Sequence, residues 1–387
     1  MNPFTEQIQA YFTPLDDLFR SKADYPSGSI GKTISQWPDL LGSGKNKVKI
    51  ALLGIPDARN GISPHSDLSP DAIRKQLYNL FLPQHAVQIA DLGNLIPGKT
   101  IQDSYFAVKS TCAELIQRKI IPILLGGGQN HSYGQFLACQ ELGYPLNLTA
   151  LDNQIDLQLS GTLQSRNYLN KIIADHGKDL FNFTTLGVQR YLISQKDQDL
   201  MNKLFFDVVR LGELREDITI AEPYLRDSDI VSLDISSIRF ADNPGGAVPE
   251  PNGFTADEIC QLAWYAGYSD RIKTFGIYEL DSLHDQYNLS SKLAAQIIWH
   301  FWDAFSNKKA TKSASGNYEK FILQVDLLEH SIVFRHDEEN DKWWIELPFS
   351  DSEGENFLLV ACSESDYEAA QAGDVPDRIW RIYQKIN

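Results

Sequence analysis

Aspartates and a histidine follow three apolar segments of this chain. His131 comes after IPILLGGGQN, Asp152 and Asp156 lie in LTALDNQID, and Asp234 ends IVSLD. Carboxylate oxygens and imidazole nitrogens are ligands for Mn²⁺ and similar divalent ions. An isolated aspartate after a strand is most often a turn or helix-cap residue. Several such carboxylates in one place repel one another unless a cation neutralises them, so the set together predicts a metal site.

These residues need a scaffold that brings distant loops together. From Val48 onward, short apolar runs alternate with longer amphipathic segments. Near-continuous apolar strands alternating with helices are typical of a mostly parallel sheet with helices on both faces, a three-layer α/β/α domain. Ligands of such sheets bind at the carboxyl ends of the strands. We therefore expect the aspartates and the histidine to meet at that edge.

Three regions are expected along the chain. Residues 1–47 read as a helical N-terminal arm and a linker, and residues 48–307 as the α/β domain. Residues 308–387 begin with a Lys/Ser/Ala/Gly stretch and continue with strand-like alternation, which predicts a small β-rich appendage. This appendage carries roughly half of the net negative charge. Its Trp343 and Trp344 are expected to pack against the α/β domain or a neighbouring subunit.

Charge and cysteine content narrow the class of protein. The formal net charge of −16 argues against nucleic acid and anionic membranes as partners, because both would be repelled. The four cysteines form no CxxC pair, which favours reduced thiols over a disulfide framework. No stretch has the length of a membrane span, and the N-terminus lacks the features of a signal peptide. We expect a cytoplasmic protein.

The same motifs, in order, resemble those of the ureohydrolase family, which includes arginase, agmatinase and formimidoylglutamase. GGGQNHS resembles the GGxHS motif with an insertion before the histidine, LDNQID resembles DAHxD, and SLDIS resembles SxDxD. KIALLGIPDA, LSPDAIRKQL, IADLGN, NPGGAVPEPNGFT and GIYELDSLHD match further family segments in the same order. The resemblance implies an arginase-like fold, hydrolysis of linear amidine or guanidine C–N bonds, and a homo-oligomer.

The resemblance also implies a ligand set. Six side chains hold two Mn²⁺ ions in the family, and four of them correspond here to His131, Asp152, Asp156 and Asp234. The second ion also needs a histidine and an aspartate, and these positions are Gln154 and Ser236. An amide and a hydroxyl are weaker ligands than imidazole and carboxylate. We therefore expect at most one Mn²⁺, with Asp152 and Asp234 in the catalytic centre.

Further residues bear on the substrate. Glu279 matches the family carboxylate that binds a cationic substrate nitrogen; alternatively it is a buried carboxylate paired with Arg190 or another base. The loop SGTLQSRNYL resembles a segment of formimidoylglutamases and favours formimidoyl-glutamate over arginine as substrate. His65 and His284 lie near loop ends that could border the site.

Two functions remain open at this point. The first is a metal-dependent hydrolase of linear amidine or guanidine C–N bonds with one retained metal site. The second is a catalytically degenerate family member that acts as a binding, regulatory or assembly protein. The surviving aspartates favour the first function, whereas Gln154 and Ser236 favour the second.

Overall fold

A central sheet organises the chain in the computed structural model, which describes residues 10–36, 48–158, 164–308, 319–325, 330–351 and 354–386. The ten strands of this sheet are β1 (Phe12–Thr13), β2 (Ser35–Gln36), β3 (Ile50–Gly54), β4 (Ile89–Leu95), β5 (Ile121–Leu125), β6 (Leu146–Leu151), β7 (Leu180–Val188), β8 (Asp207–Arg210), β9 (Ile230–Asp234) and β10 (Thr274–Tyr278). Their order is β1-β4-β3-β5-β10-β9-β6-β7-β8, with β2 also beside β4. Every pair is parallel except β1 with β4.

Helices cover both faces of the sheet. They are α1 (Asp17–Arg20), α2 (Ile30–Thr33), α3 (Ser69–Leu77), α4 (Ile101–Gln117), α5 (Ser132–Gln140), α6 (Tyr168–His176), α7 (Gln195–Lys203), α8 (Leu211–Glu216), α9 (Ala221–Arg226), α10 (Ala256–Tyr268) and α11 (Leu289–Asn307). Alternate residues of a strand enter different cores: Leu52 packs in the core that contains α3, α10 and α11, whereas Ala51 and Leu53 pack in the core with α4, α5 and α6. The predicted three-layer α/β/α architecture is confirmed.

The strand order explains where the loops meet. β5 lies between β3 and β10, and the chain then crosses to β6 on the other side of β9. The loops that leave β5, β6, β9 and β10 therefore emerge at one edge of four neighbouring parallel strands. A reversal of strand order opens a crevice at the carboxyl ends, where α/β proteins bind ligands. The predicted site residues all follow these strands.

A second sheet lies near the end of the chain. It is antiparallel, with β11 (Glu319–Val325), β12 (His330–Asp337), β13 (Lys342–Asp351) and β14 (Gly354–Cys362) in sequence order. Two helices follow, α12 (Glu364–Gln371) and α13 (Asp377–Ile386), and they share a hydrophobic core with the sheet. The β-rich appendage of the sequence prediction is thus confirmed as a small separate sheet, and the boundary at residue 308 stays a prediction.

Arg226 of α9 joins the second sheet to the α/β domain. Its guanidinium donates to the carbonyl oxygens of Trp343 at 3.0 Å and Cys362 at 2.8 Å. The same group lies 4.8 Å from the centre of the Trp344 ring, within cation–π range. Trp344 therefore contacts the α/β domain, as the sequence led us to expect.

The N-terminal region differs from the expected helical arm. In its described part, residues 10–36, two four-residue helices and two two-residue strands follow the edge of the central sheet. Residues 1–9 and 37–47 lie outside the described residues. Within the described chain, no helix is both long and apolar enough to cross a membrane.

Candidate metal centre

Three aspartates meet at the carboxyl edge of the sheet. Asp152 follows β6 directly, Asp156 lies four residues further along, and Asp234 is the last residue of β9. Asp152 Oδ1 accepts a hydrogen bond from the backbone N–H of Gln154 at 3.0 Å, and Asp234 Oδ1 accepts one from that of Ser236 at 2.7 Å. These are the turn-capping roles expected of aspartate after a strand. They occupy one oxygen of each carboxylate and leave the other oxygen for a second partner.

All three carboxyl groups are buried, and their pKa values are displaced upward. Burial raises the pKa of Asp152 to about 6. Burial and then the neighbouring Asp152 raise the pKa of Asp156 and of Asp234 well above the usual range for aspartate. Buried carboxylates this close require either protons or a cation to offset their repulsion.

The Gln129 side chain lies against two of these carboxylates. One atom of its amide group is 3.0 Å from Asp156 Oδ2 and 3.3 Å from Asp152 Oδ2, and the other is 3.2 Å from Ser232 Oγ. If the nitrogen faces the aspartates, it donates to both carboxylates. If the oxygen faces them, three oxygens converge, and either a protonated carboxyl group that donates to the amide oxygen or a bound cation must hold them together. Both arrangements have the same heavy-atom positions.

His131 does not join the three aspartates, contrary to the sequence expectation. Its Nδ1 is bonded to the carbonyl oxygen of Gly128 at 2.9 Å, and its Nε2 lies 3.8 Å from Asp57 Oδ2. The ring also packs edge-on against Tyr105. The reason is local: residues 129–131 form one turn of 3₁₀ helix, so side chains two positions apart point in different directions.

The position next to the aspartates therefore belongs to Gln129. GGGQ can be aligned with the start of GGxHS without any insertion, and Gln129 then occupies the histidine position of the motif. The spacing from the glycines was therefore the sequence signal for Gln129, and the nearest histidine was misleading. With this alignment, the ligand positions implied by the family resemblance hold glutamine at both imidazole positions and serine at one carboxylate position.

The two degenerate positions have other partners. Gln154 Oε1 accepts a hydrogen bond from Arg166 Nη1 at 3.2 Å, and Ser236 Oγ lies 3.5 Å from the backbone nitrogen of Val248. The positive charge of Arg166 also opposes the upward shift of the Asp156 pKa. A guanidinium beside Gln154 and Asp156 would disfavour a further cation at that place. Sequence reasoning missed Arg166, although it lies within the SGTLQSRNYL loop, at the end of its QSR turn.

The Glu279 carboxylate accepts four hydrogen bonds from other groups of the protein. Its Oε1 accepts hydrogen bonds from the Gln129 backbone N–H at 2.7 Å and Ser165 Oγ at 2.5 Å. Its Oε2 accepts from the backbone N–H groups of Ile62 at 2.8 Å and Ser63 at 3.0 Å. The carboxylate is completely buried, and a backbone φ of 63° sets its direction after β10.

This arrangement corrects the expectation that Glu279 binds the substrate. Four donors fill the acceptor capacity of one carboxylate. The partners are backbone N–H groups and a hydroxyl, not Arg190, so the alternative of a buried ion pair with that residue is wrong as well. Glu279 fixes the loop after β3, the Gln129 turn and the Ser165 turn in relation to one another.

The donor set at the aspartates fits one hard divalent cation. Asp152, Asp156, Asp234 and the Gln129 amide can supply oxygen atoms only, and oxygen ligands suit Mn²⁺ or Mg²⁺. The raised pKa values indicate that the buried negative charge lacks full compensation from protein groups. Within the described part of the chain, neither the predicted set of His131 with the three aspartates nor the three aspartates by themselves form a group whose ligand atoms all lie within 4.8 Å of one another, so this fit is one of donor chemistry.

Curated relatives match most of the chain at low identity. The formimidoylglutamase of Cupriavidus pinatubonensis is 24% identical over 296 residues, covering 70% of this chain and 88% of the relative. The formimidoylglutamase of Vibrio vulnificus (strain YJ016) is 24% identical over 320 residues, covering 74% of this chain and 93% of the relative.

Solved structures share the fold. The formiminoglutamase of Trypanosoma cruzi with Mn²⁺ superposes with a TM-score of 0.63 at 19% identity, covering 69% of this chain and 97% of that one. The formimidoylglutamase of Bacillus subtilis gives a TM-score of 0.62 at 19% identity, covering 71% and 91%. The model of the family described as "Arginase family" matches residues 48–302. This match spans strands β3 to β10 of the central sheet and the aspartate cluster, and the chain belongs to the arginase family.

Proposed function

We propose that this protein is a formimidoylglutamase-like hydrolase of linear amidine C–N bonds that uses one divalent metal ion, Mn²⁺. The observation that carries the proposal is the contact of the Gln129 amide with Asp152 and Asp156, 3.3 and 3.0 Å away, in a cluster completed by Asp234. Relatives named formimidoylglutamase and the Mn²⁺ named with the T. cruzi enzyme support this choice of reaction and metal.

The ion would be held by oxygen atoms of Asp152, Asp156, Asp234 and Gln129. Bound there, it would supply Lewis acidity to a hydrolytic reaction. The buried aspartates provide three negative charges to one divalent ion, and Asp152 and Asp234 remain the residues that we assign to the catalytic centre. Turn-capping hydrogen bonds orient these two carboxylates, so their positions do not depend on the metal.

Arg166 supports an anionic substrate. Its guanidinium is half-buried, lies within range of the aspartates, and contacts Gln154 at 3.2 Å. Formimidoyl-glutamate carries more carboxylates than cationic groups and is a net anion, whereas arginine, with a guanidinium, an ammonium and a single carboxylate, is a net cation that the Arg166 guanidinium would repel. A fixed arginine binds carboxylates through a planar pair of N–H groups. Arg166 would therefore bind the acidic part of the substrate and exclude free arginine.

A second function is favoured by one feature of the same site. Both imidazole ligands of the family are replaced, and the Gln129 amide nitrogen can bond to Asp152 and Asp156 without any metal. A protein stabilised in this way would keep the fold as a binding, regulatory or assembly protein. The two functions differ in one property that can be measured directly, the retention of Mn²⁺.

Metal content and product release test the proposal together. Wild-type protein and the Asp152→Ala variant are incubated with excess Mn²⁺ and passed through gel filtration, and metal is measured by mass spectrometry. We expect one ion per wild-type chain, none in the variant, and release of formamide from formimidoyl-glutamate by the wild type alone. Wild-type protein that retains no Mn²⁺ would rule out the hydrolase and leave the binding protein.

A further inference from the structure

Two histidines and a buried aspartate form a separate cluster on the same edge of the sheet. His65 lies in the loop after β3, and Asp281 and His284 lie in the loop after β10. The Nδ1 atoms of His65 and His284 lie 3.2 and 3.0 Å from the same oxygen, Asp281 Oδ2. In the described part of the chain, this is the one group of three His, Cys, Asp or Glu side chains whose ligand atoms all lie within 4.8 Å of one another.

We propose that this cluster, the His65–Asp281–His284 site, binds a Zn²⁺-class divalent ion and ties the two loops together. Two imidazoles and one carboxylate are the ligands that Zn²⁺ and Co²⁺ prefer, whereas Mg²⁺ and Ca²⁺ prefer oxygen alone. Ligand atoms about 2.0–2.2 Å from a common ion are separated by about 3 Å, close to the N–O distances of this cluster. The site therefore differs in chemistry from the all-oxygen aspartate cluster.

The protein backbone holds this site in place. The buried Asp281 carboxylate accepts two backbone hydrogen bonds on Oδ1, from Leu283 and His284 at 3.2 Å, which leaves Oδ2 to face the imidazoles. Its own N–H donates to the Gly245 carbonyl oxygen at 2.8 Å. On the other loop, the backbone N–H of His65 donates to Ser63 Oγ at 3.3 Å.

Glu279 also links this site to the loop of Gln129, which borders the aspartate cluster. Ser63, two residues before His65, donates its N–H to Glu279 Oε2, and Glu279 lies two residues before Asp281. One rigid carboxylate thus fixes both loops, which contribute ligands from positions more than 200 residues apart. Such preorganisation lowers the entropy cost of ordering the two loops when a metal ion binds.

The exposed side of the site allows the ion to enter. The His284 side chain is 67% exposed and His65 is 34% exposed, whereas Asp281 is 11% exposed. The His284 ring can rotate to complete the coordination while the other two ligands remain fixed. Three protein ligands and one solvent-facing position make an open site, in which water is the fourth ligand.

Cobalt binding tests this proposal without relying on enzyme activity. The full chain is prepared with Asp156→Asn to disable the aspartate cluster, stripped with a chelator, and titrated with Co²⁺. We expect one ion per chain with the visible absorption of Co²⁺ bound to nitrogen. His284→Asn and His65→Asn should each weaken binding by more than the about 10- to 100-fold that loss of an outer-shell partner costs. His85→Asn, at an exposed histidine, is the matched control and should leave the affinity unchanged.

Folding is checked in every variant by circular dichroism and thermal unfolding. His284 is exposed, and exposed substitutions usually change stability by within about 0.5 kcal/mol, so its variant remains informative if His65→Asn unfolds. X-ray absorption of the zinc-loaded protein provides an independent measurement, with two imidazoles expected around the ion. Equal Co²⁺ affinity in His284→Asn, or no imidazole around zinc, would overturn the proposal. Loss of Mn²⁺ in Asp156→Asn with retention of Co²⁺ would separate this site from the aspartate cluster.

Discussion

The backbone N–H of Gln129 donates to Glu279 Oε1 at 2.7 Å, and this hydrogen bond joins the loop after β5 to the end of β10. The Gln129 side chain reaches Asp152 and Asp156 from that fixed backbone. The position of the Gln129 amide thus depends on a carboxylate that, within the described part of the chain, accepts its hydrogen bonds from the Gln129, Ile62 and Ser63 backbone and the Ser165 hydroxyl. This relationship makes Glu279 a positioning residue for the metal centre.

Removal of the Glu279 carboxylate should destabilise the protein and loosen the metal centre. Glu279→Ala leaves three backbone N–H groups without their acceptor and leaves Ser165 Oγ only Asn130 Oδ1 to donate to, and each buried unsatisfied group costs about 1–3 kcal/mol before relaxation. We expect a loss of at least about 3 kcal/mol in the free energy of unfolding, measured by urea denaturation.

The matched control for this variant is Glu141→Gln. Glu141 forms a surface ion pair with Lys109 and is 42% exposed, and such pairs contribute about 0–1 kcal/mol. A loss at Glu279 no larger than that of the control would contradict the positioning role.

Gln129 and His131 should respond differently to substitution. Gln129→Ala removes the amide beside Asp152 and Asp156, so Mn²⁺ retention should fall by about 10-fold or more. His131→Asn should leave Mn²⁺ retention unchanged, because the His131 ring faces Asp57 and Tyr105. Equilibrium dialysis with Mn²⁺ measures both effects. The opposite result would restore His131 to the ligand set and remove Gln129 from it.

A gain of affinity is expected from Gln129→His. An imidazole nitrogen is a stronger ligand for Mn²⁺ than a neutral amide, and the substitution restores the residue type of the family motif. The variant should hold Mn²⁺ about 10-fold more tightly than the wild type, a difference of about 1.4 kcal/mol. Isothermal titration with Mn²⁺ is the measurement. An unchanged affinity would show that the side chain at position 129 does not reach the ion.

The stability of the metal-free protein should fall as the pH rises. The pKa of Asp152 is raised to about 6 by burial, and those of Asp156 and Asp234 are raised well above the usual range for aspartate, so the folded state binds more protons than the unfolded state above about pH 4. The stabilisation is present below the pKa of unfolded aspartate and is lost as the pH rises through the folded values. The measurement is the midpoint of thermal unfolding between pH 4 and pH 8 in the presence of a chelator, and we expect this midpoint to fall as the pH rises.

Asp156→Asn tests the origin of that pH dependence. The variant lacks one of the repelling charges, so its midpoint should fall less steeply with pH and should exceed that of the metal-free wild type near pH 7. Added Mn²⁺ should stabilise the wild type and have little effect on the variant. Identical pH profiles for the two proteins would place the titrating groups elsewhere.

Arg166 should oppose metal binding and promote substrate binding. Arg166→Gln removes a positive charge that acts on Asp156, so Mn²⁺ affinity should increase by a few-fold. The same variant should raise KM for formimidoyl-glutamate by about 10-fold, because it loses a charge-assisted contact to a carboxylate. Arg20→Gln, at an exposed arginine of α1, is the control and should change neither value. A lower KM in Arg166→Gln would reject the anionic-substrate role.

Much of the scaffold could be predicted because it depends on local patterns. The apolar runs that became β3, β5, β9 and β10 are nearly free of polar residues, which indicates strands buried on both faces. The position of Asp152 after β6 and of Asp234 at the end of β9 followed from the same pattern. The short edge strand β8 could not be predicted in this way, because four residues with two charged ends carry little periodic signal.

The sequence by itself determined the three-layer fold, the small second sheet and the loops that carry the aspartates at the carboxyl edge of the sheet. Hydrophobic periodicity and motif order are properties of the local sequence and can be seen without the structure. Only the tertiary structure decided which side chains face one another. A single 3₁₀ turn directs Gln129 to the aspartates and His131 to Asp57. Likewise, His65 and Asp281 lie 216 positions apart in the sequence, and only the packing of the sheet brings their side chains into contact. Local patterns contain neither the direction of a side chain after a turn nor a contact between distant loops, because both depend on the packing of the whole domain.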